Sequence, residues 1–532
     1  MASSTPSLSV DPSASAAPGA LPFVWRLLLV AVSGLLLALA FPPVGASLLA
    51  PVAVALFVLA SFRVTAWRGA LLGAIQGALT FGILLRWMSL VGADAWLLLT
   101  ALCTLWIALV GVGQALVTRI RWWPLWVACV WVLQEALRDR IPLGGFPWGR
   151  LAFAQTATTL TPWAAIGGAP AVTFMTALAG AVLAFVILAI RHRQRGWPQW
   201  VVAGAGGLLA IALGGLLTPR PSLGEGAGGP ATAVAAVIQG GVPSTGMSVT
   251  DERREVLERH LAQTLALAEA VAKGEVPQPD VVIWPENAVD IDPYRDTAVA
   301  EDITAAARAV NAPVVIGAII DAPGDPTMIA NAGIVWDPVT GPGDAYLKRH
   351  PVPFGEYIPF RSLIAPLVGR LDRVPRDMRP GDSPGILRAG DVVLGDVICF
   401  EVAYDEVVTD AVTAGGRVIV VQSNNATFAG LGQPEQQVAM SRLRAVEHGR
   451  AVLVAATTGI TAVIAPDGSV ISEISEGDVG YLVESVPLRT TLSVSDRLGW
   501  APEAIIALLG LAAMLWAGVR YRVPGRRPRV DA

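Results

Sequence analysis

Three side chains at strand ends carry the chemistry to be expected of this 532-residue chain. Val281 to Pro285 leads into Glu286 and Asn287, the segment Asp344 to His350 presents Lys348, and Val392 to Ile398 leads into Cys399, Phe400 and Glu401. In α/β sheets the functional groups gather at strand carboxyl ends. Of 38 basic residues only Lys273 and Lys348 are lysine, so arginine stands almost wherever a cation is acceptable. Lys273 falls at a helix end. A lysine at position 348 suggests a site that needs a compact ammonium with three rotatable donors, with chance retention as the competing reading. Cys399 is the one thiol in the soluble part of the chain, and a small apolar residue closing a strand is its competing reading. Carboxylate, ammonium and thiol together suit nucleophilic acyl chemistry. Glu286 would take the thiol proton, Cys399 would attack a carbonyl, and Lys348 with the backbone N–H after Cys399 would stabilise the tetrahedral oxyanion.

The elements that must position these groups begin at Ala231. Ala231 to Gln239, Val281 to Pro285, Pro313 to Ile320, Ala332 to Asp337, Val392 to Phe400, Val418 to Ser423, Ala451 to Thr457 and Thr461 to Ala465 read as strands. Asp251 to Lys273, Thr297 to Val310 and Pro434 to Gly449 carry helical spacing. The alternation predicts an α/β layer structure, with antiparallel hairpins mixed in where strands follow one another directly. A four-layer α/β/β/α sandwich fits this pattern, although periodicity alone does not select it.

The rest of the chain is of another kind. The composition is 54% hydrophobic and only 15% charged, against about a quarter charged in an ordinary soluble domain. Apolar runs near the roughly 20 residues that cross a bilayer occur around 24–40, 45–62, 69–88, 95–117, 122–138, 167–190, 198–217 and 499–519. The sequence therefore predicts a tail over 1–21, a membrane domain of seven helices over 22–219, a catalytic domain over 220–495, an eighth helix over 496–520 and a basic tail over 521–532. The turns after the second, fourth and sixth runs carry Arg63 and Arg68, Arg119 and Arg121, and Arg191, Arg193 and Arg195. By the positive-inside rule these turns and both termini face the cytoplasm, which places the catalytic domain outside it. The loop after the fifth run, with Arg138, Arg140 and Arg150, is an exception that Asp139 partly offsets. Tryptophans near helix ends, Trp25, Trp67, Trp87, Trp122 and Trp500 among them, suit a headgroup-level belt or helix interfaces.

A net charge of −4 with no clustered basic face outside the C-terminal tail argues against nucleic acid as partner. Cys103 and Cys129 lie in apolar runs and read as packing residues, and His192, His260, His350 and His448 show no ligand spacing. No metal or organic cofactor is implied.

Val281-Val282-Ile283-Trp284-Pro285-Glu286, Lys348-Arg349-His350-Pro351-Val352-Pro353-Phe354-Gly355-Glu356-Tyr357-Ile358-Pro359 and Cys399-Phe400-Glu401 resemble the three catalytic blocks of the nitrilase superfamily. With the eight-helix frame, the domain inserted before the last helix and Gly145-Phe146-Pro147-Trp148-Gly149-Arg150, the chain is similar to the apolipoprotein N-acyltransferases, the membrane-embedded branch of that superfamily. The resemblance implies a nitrilase-like α/β/β/α sandwich with a catalytic triad of Glu286, Lys348 and Cys399. It adds Glu356 as a second essential glutamate orienting Lys348 or the incoming amine, and Glu401 and Asn331 as further positions near the site. Phe400 stands where tyrosine is common, and Thr427 where an aromatic is expected. The implied reaction moves an acyl chain from a phospholipid through a Cys399 thioester to the α-amine of an S-diacylglyceryl cysteine at a lipoprotein N-terminus, so the implied partners are membrane lipids and that acceptor. A membrane-tethered amidase-type hydrolase would use the same triad and pass the acyl group to water. A transporter with an extracytoplasmic binding domain would leave the triad without purpose.

Overall fold

The computed structural model describes residues 21–192, 197–219, 232–243 and 253–522. All but residues 21, 521 and 522 of the expected tails, 1–21 and 521–532, and the arginines at 193 and 195 lie outside the described residues. Among the described residues seven α-helices precede the first strand: α1 (Phe23–Ala40), α2 (Leu49–Ser61), α3 (Ala66–Leu84), α4 (Ala93–Val117), α5 (Trp123–Arg138), α6 (Ala164–His192) and α7 (Trp197–Leu217). Each expected apolar run is helical. Among the described residues, five helices are long and apolar enough to cross a membrane: α1, α4, α6, α7 and a final helix that begins at Ala501. The count of about eight spans is therefore not reproduced by length and apolarity alone. At a rise of about 1.5 Å per residue, the 13-residue α2 falls short of a hydrocarbon core of about 30 Å.

The helices pack through small residues. A Cβ on Gly69, Gly73 or Gly111 would run into the facing backbone where α3 and α4 cross, so glycine is what lets these two helices approach closely. The α6 helix breaks at Gly167 and Gly168, the latter at φ 68°, and the break lies directly against Glu447 and Ser495 of the catalytic part.

The catalytic part holds two six-stranded sheets. In sequence order the strands are β1 (Thr232–Gln239), β2 (Val281–Ile283), β3 (Val314–Ala322), β4 (Asp325–Asp337), β5 (Gly341–Leu347), β6 (Ile386–Ala389), β7 (Val392–Ile398), β8 (Val418–Ser423), β9 (Val452–Ala456), β10 (Thr461–Ile464), β11 (Val470–Ile474) and β12 (Gly480–Pro487). One sheet runs β12-β1-β2-β3-β4-β5 and the other β11-β10-β9-β8-β7-β6. Each has a parallel centre, β1-β2-β3 or β7-β8-β9, flanked by antiparallel strands. The helices are α8 (Arg253–Ala272), α9 (Thr297–Val310), the short α10 (Arg361–Ile364), α11 (Asp405–Thr413), α12 (Gln433–His448), α13 (Val494–Leu498) and α14 (Ala501–Arg522).

Alternation along β1 shows how the layers form. Ala235 and Val237 point into an apolar core shared with Leu394, Val418 and Leu453 of the facing sheet. Ala236 and Ile238 point the other way, onto Leu257 and Leu267 of α8 and Ile303 of α9. The outer face of the second sheet, with Val397, Ile419 and Val421, packs on Val407 of α11 and Val446 of α12 in the same core that holds Trp131, Trp148 and Val172 of the helical part. The architecture is α/β/β/α, and its second helical layer is continuous with the membrane-type helices. Four strands are absent from the expected list: β6, β11 and β12 escape the sequence reading, and β5 entered it only as the Lys348-bearing segment Asp344 to His350; β4 begins seven positions earlier than Ala332. These are edge or hairpin segments that carry charged or polar residues and lack an unbroken apolar run.

Candidate active site

Glu286 follows β2 through Trp284 and Pro285 and is 3% exposed. Its Oε1 accepts from Lys348 Nζ at 3.0 Å and from Asn331 Nδ2 at 2.7 Å, and its Oε2 accepts from the Asn424 backbone N–H at 2.9 Å. Lys348 comes directly after β5, and its Nζ also donates to Glu356 Oε1 at 2.7 Å. Glu356 Oε2 accepts from the Val352 N–H at 2.7 Å, so the Pro-Phe-Gly-Glu loop folds back on itself to present this carboxylate. Cys399 opens the tight turn that follows β7, at φ 56°, with Glu286 and Lys348 as its charged neighbours. A left-handed conformation at a non-glycine residue is uncommon, costs of order 1–3 kcal/mol and points to a backbone held in place by its surroundings.

The electrostatics follow from burial. Burial by itself would lower the Lys348 ammonium, but Glu286 and then Glu356 outweigh it and hold the pKa well above the ordinary lysine value. Burial raises the Cys399 thiol, and Glu286 raises it further than Lys348 lowers it, so the resting nucleophile is protonated. Burial likewise raises the Glu356 carboxyl against the pull of Lys348. A thiol in this state reacts only if its proton leaves during attack, and Glu286 is the neighbouring carboxylate that weighs most on it.

Glu401 has a different role from the triad. Fully buried, it accepts from the Arg349 and His350 N–H groups at 2.6 and 3.0 Å through Oε1, and from the Ile398 N–H at 2.8 Å and the Tyr346 hydroxyl at 2.9 Å through Oε2. One carboxylate thus ties the lysine-bearing strand end to the nucleophile turn. Asn331, on β4, donates to Glu286 and, at 3.3 Å, to Glu356.

Phe400 lies between two aromatic rings of the loop after α5, stacked on Phe146 at 5.6 Å and on Trp148 at 5.8 Å, with Tyr404 edge-on at 5.4 Å. Trp87 joins this wall against Trp148 and Phe428, the neighbour of Thr427. The structure therefore gathers Glu286, Lys348, Cys399, Glu356, Glu401, Asn331 and Phe400 into one cluster. His350 stands beside it, stacked on Tyr404 at 4.3 Å with Nε2 3.3 Å from Glu406. Lys273 pairs with Glu269 on the exposed face of α8, and Cys103 and Cys129 are buried in α4 and α5. Among the described residues no group of His, Cys, Asp and Glu side chains could hold a metal ion.

The sequence reading did not pick out Asn424, whose backbone N–H fixes Glu286, nor Tyr346, Asp405 and Arg444. The first acts through its main chain, which leaves no side-chain signal. The arginine is one of many in this composition.

Residues 33–182 match the apolipoprotein N-acyltransferase N-terminal domain, and residues 235–494 match the carbon-nitrogen hydrolase family. An amidase from Nesterenkonia sp. superposes over 52% of this chain and 94% of its own, with a TM-score of 0.36 and 18% identity. Apolipoprotein N-acyltransferase of Vibrio cholerae is 26% identical, covering 92% of this chain and 96% of its own. That of Mycolicibacterium smegmatis is 39% identical over 498 residues, 91% of this chain and 84% of its own, and on that likeness the chain belongs to the apolipoprotein N-acyltransferase family.

Proposed function

We propose that this membrane protein is an N-acyltransferase that moves an acyl chain from a phospholipid to the α-amine of the N-terminal S-diacylglyceryl cysteine of a lipoprotein, by way of a thioester on Cys399. The observation that carries this reading is the contact between the nucleophile turn and the apolar frame, with Phe400 sandwiched by Phe146 and Trp148. A hydrolase of small soluble amides has no need of a nucleophile built against a membrane-type domain.

In the first step the thiol of Cys399 passes its proton to Glu286 as the sulfur attacks the ester carbonyl. Lys348 and the N–H of Phe400 stabilise the oxyanion, and Glu286 returns the proton to the departing lysophospholipid oxygen. In the second step the amine attacks the thioester carbonyl, Glu286 takes its proton, and the Cys399 thiolate leaves and is reprotonated. Glu356 holds Lys348 toward the reacting carbonyl, and Glu401 and Asn331 keep the triad in register. The organisation that serves this is a membrane domain over 22–219 with about eight spans in all, the last over 496–520, and a catalytic domain over 220–495. The arginine-bearing turns argue for a catalytic domain on the extracytoplasmic side of a bacterial cell membrane, with both termini in the cytoplasm.

The test is the intact mass of the purified protein after incubation with phospholipid and no acceptor, beside Cys399→Ser. A hydroxylamine-sensitive gain of one acyl chain in the parent alone is expected. Release of free fatty acid without an adduct would favour the hydrolase.

A further inference from the structure

The membrane-type loop that stacks on Phe400 also reaches the far end of the nucleophile turn. Arg150, two residues beyond Trp148, is buried and places Nη1 2.8 Å from Asp405 Oδ1. The same guanidinium lies 3.4 Å from Glu135 and from Asp139, at the end of α5. Asp405, six positions after the nucleophile, is also met by Arg444 of α12, whose Nη2 stands 2.7 Å from the same Oδ1. Arg444 is fully buried and donates to the carbonyl oxygens of Val402 and Ala403, both at 2.9 Å, and to Glu447 at 2.6 Å. A single carboxylate oxygen is therefore shared by two buried guanidiniums, one from each part of the protein, and one of these also holds the main chain of the nucleophile turn.

Resting on the acyl-transfer reading, we infer that Asp405 and Arg150 are positioning residues for the thioester-forming step. Together with Phe146 and Trp148 they hold the Cys399–Asp405 segment at both of its ends, so that the sulfur and the Phe400 N–H stand in register with Lys348 only while the membrane loop is docked. The physical ground is that this segment begins in a left-handed backbone conformation at Cys399, which a chain does not keep without external constraint. A half-buried carboxylate, 29% exposed, that bridges two fully buried guanidiniums provides such a constraint, because removing it leaves each guanidinium short of a counter-charge out of water. Asp405 itself touches no reacting atom and acts through the turn. Burial opposes its ionisation, but Arg150 and Arg444 outweigh burial and keep the carboxyl well below the ordinary range, so the latch stays closed across the working pH.

The experiment measures the first-order rate of thioester formation by the full-length protein in mixed micelles of dioleoylphosphatidylethanolamine, as a function of lipid, for the parent, Asp405→Asn, Asp405→Glu, Arg150→Gln and the Asp405→Asn/Arg150→Gln double variant. A misplacement of about 1 Å costs up to about 100-fold, so Asp405→Asn and Arg150→Gln should each slow the saturated rate by about 10- to 100-fold, with half-saturating lipid within about twofold of the parent. Asp405→Glu should recover part of the loss, and the double variant should be no slower than the worse single one. A role in stability alone would lower the melting temperature and leave the saturated rate of the folded fraction unchanged, which would overturn the inference. A change confined to half-saturating lipid would overturn it as well. If Asp405→Asn does not insert, Arg150→Gln decides by the same measure, since Glu135 still accepts from the Leu151 N–H and Asp139 keeps Arg138 at 4.0 Å. A parent that forms no thioester would refute the proposed reaction instead, and the two failures are thereby told apart.

Discussion

The two sheets are built to one plan, yet their outer helical layers are finished in opposite ways. On the first sheet, α8 has six of its 20 residues buried and carries its charges in exposed pairs, Arg254 with Glu258, Arg259 with Glu255 and Lys273 with Glu269. On the second, 14 of the 16 residues of α12 are buried although it is rich in glutamine, arginine and glutamate. Several of its polar groups are answered by protein partners rather than by water. Gln436 accepts from Trp148 Nε1 at 2.6 Å and donates to the carbonyls of Pro42 and Leu84, Arg444 meets Asp405 and Glu447, and His448 meets Asp496 at 2.6 Å. The first layer is a surface and the second is a joint. Polarity in a helix thus reports what its partner offers as much as whether water reaches it.

The sharpest way to break this comparison is at the nucleophile that the two sheets share. Cys399→Ser should lower acyl transfer by roughly four orders of magnitude or more while the protein still folds and inserts, as judged by turnover beside a thermal melt. Lys348→Arg comes next, with a loss of about 100- to 1,000-fold in the saturated rate, because a planar fork does not replace a point donor between Glu286 and Glu356. On the joint, Arg444→Leu strands the buried carboxylate of Glu447, takes one of two partners from Asp405, and should destabilise by about 3–5 kcal/mol in denaturant melts in detergent. On the surface, Arg259→Ala should leave the melt where it was, since exposed pairs contribute little. A similar shift for both variants would erase the distinction between the layers. The smallest effect is in pH. The folded Asp405 carboxyl lies below its unfolded value of about 3.9, so its contribution is complete above that pH and is lost as pH falls through the folded value. The stability gap between the parent and Asp405→Asn should therefore stay constant from pH 8 to 5 and narrow only below about pH 4.

The same contrast explains what could be read from the sequence. Glu286 and Cys399 were legible because each closes a largely apolar strand, and Lys348 because it stands out in a chain that otherwise uses arginine. The sandwich was legible from the strands of its two parallel centres. What stayed hidden was the joint. Arg150 and Arg444 carry no compositional mark among so many arginines, and α12 reads by polarity as a helix that faces water. The edge strands β6, β11 and β12 were missed for a related reason, since residues such as Arg388, Glu473 and Glu484 interrupt the apolar pattern that a central strand must keep.

The scarcity and placement of lysine give the chain a gauge of its own opening. An endoproteinase that cuts after lysine has two targets in the whole sequence, and they differ as sharply as the two layers do. The bond after Lys273 sits at the end of α8, where the side chain is 56% exposed, whereas Lys348 is 2% exposed and held by two glutamates. Cleavage at the first reports only that protease is present. Cleavage at the second must wait for β5 to leave its sheet, so its rate counts the rare molecules whose catalytic core has opened. That cut also parts Glu286 and Lys348 from Cys399, so every molecule scored as open is retired from turnover. Residual activity and fragment yield should then fall and rise on a single time course.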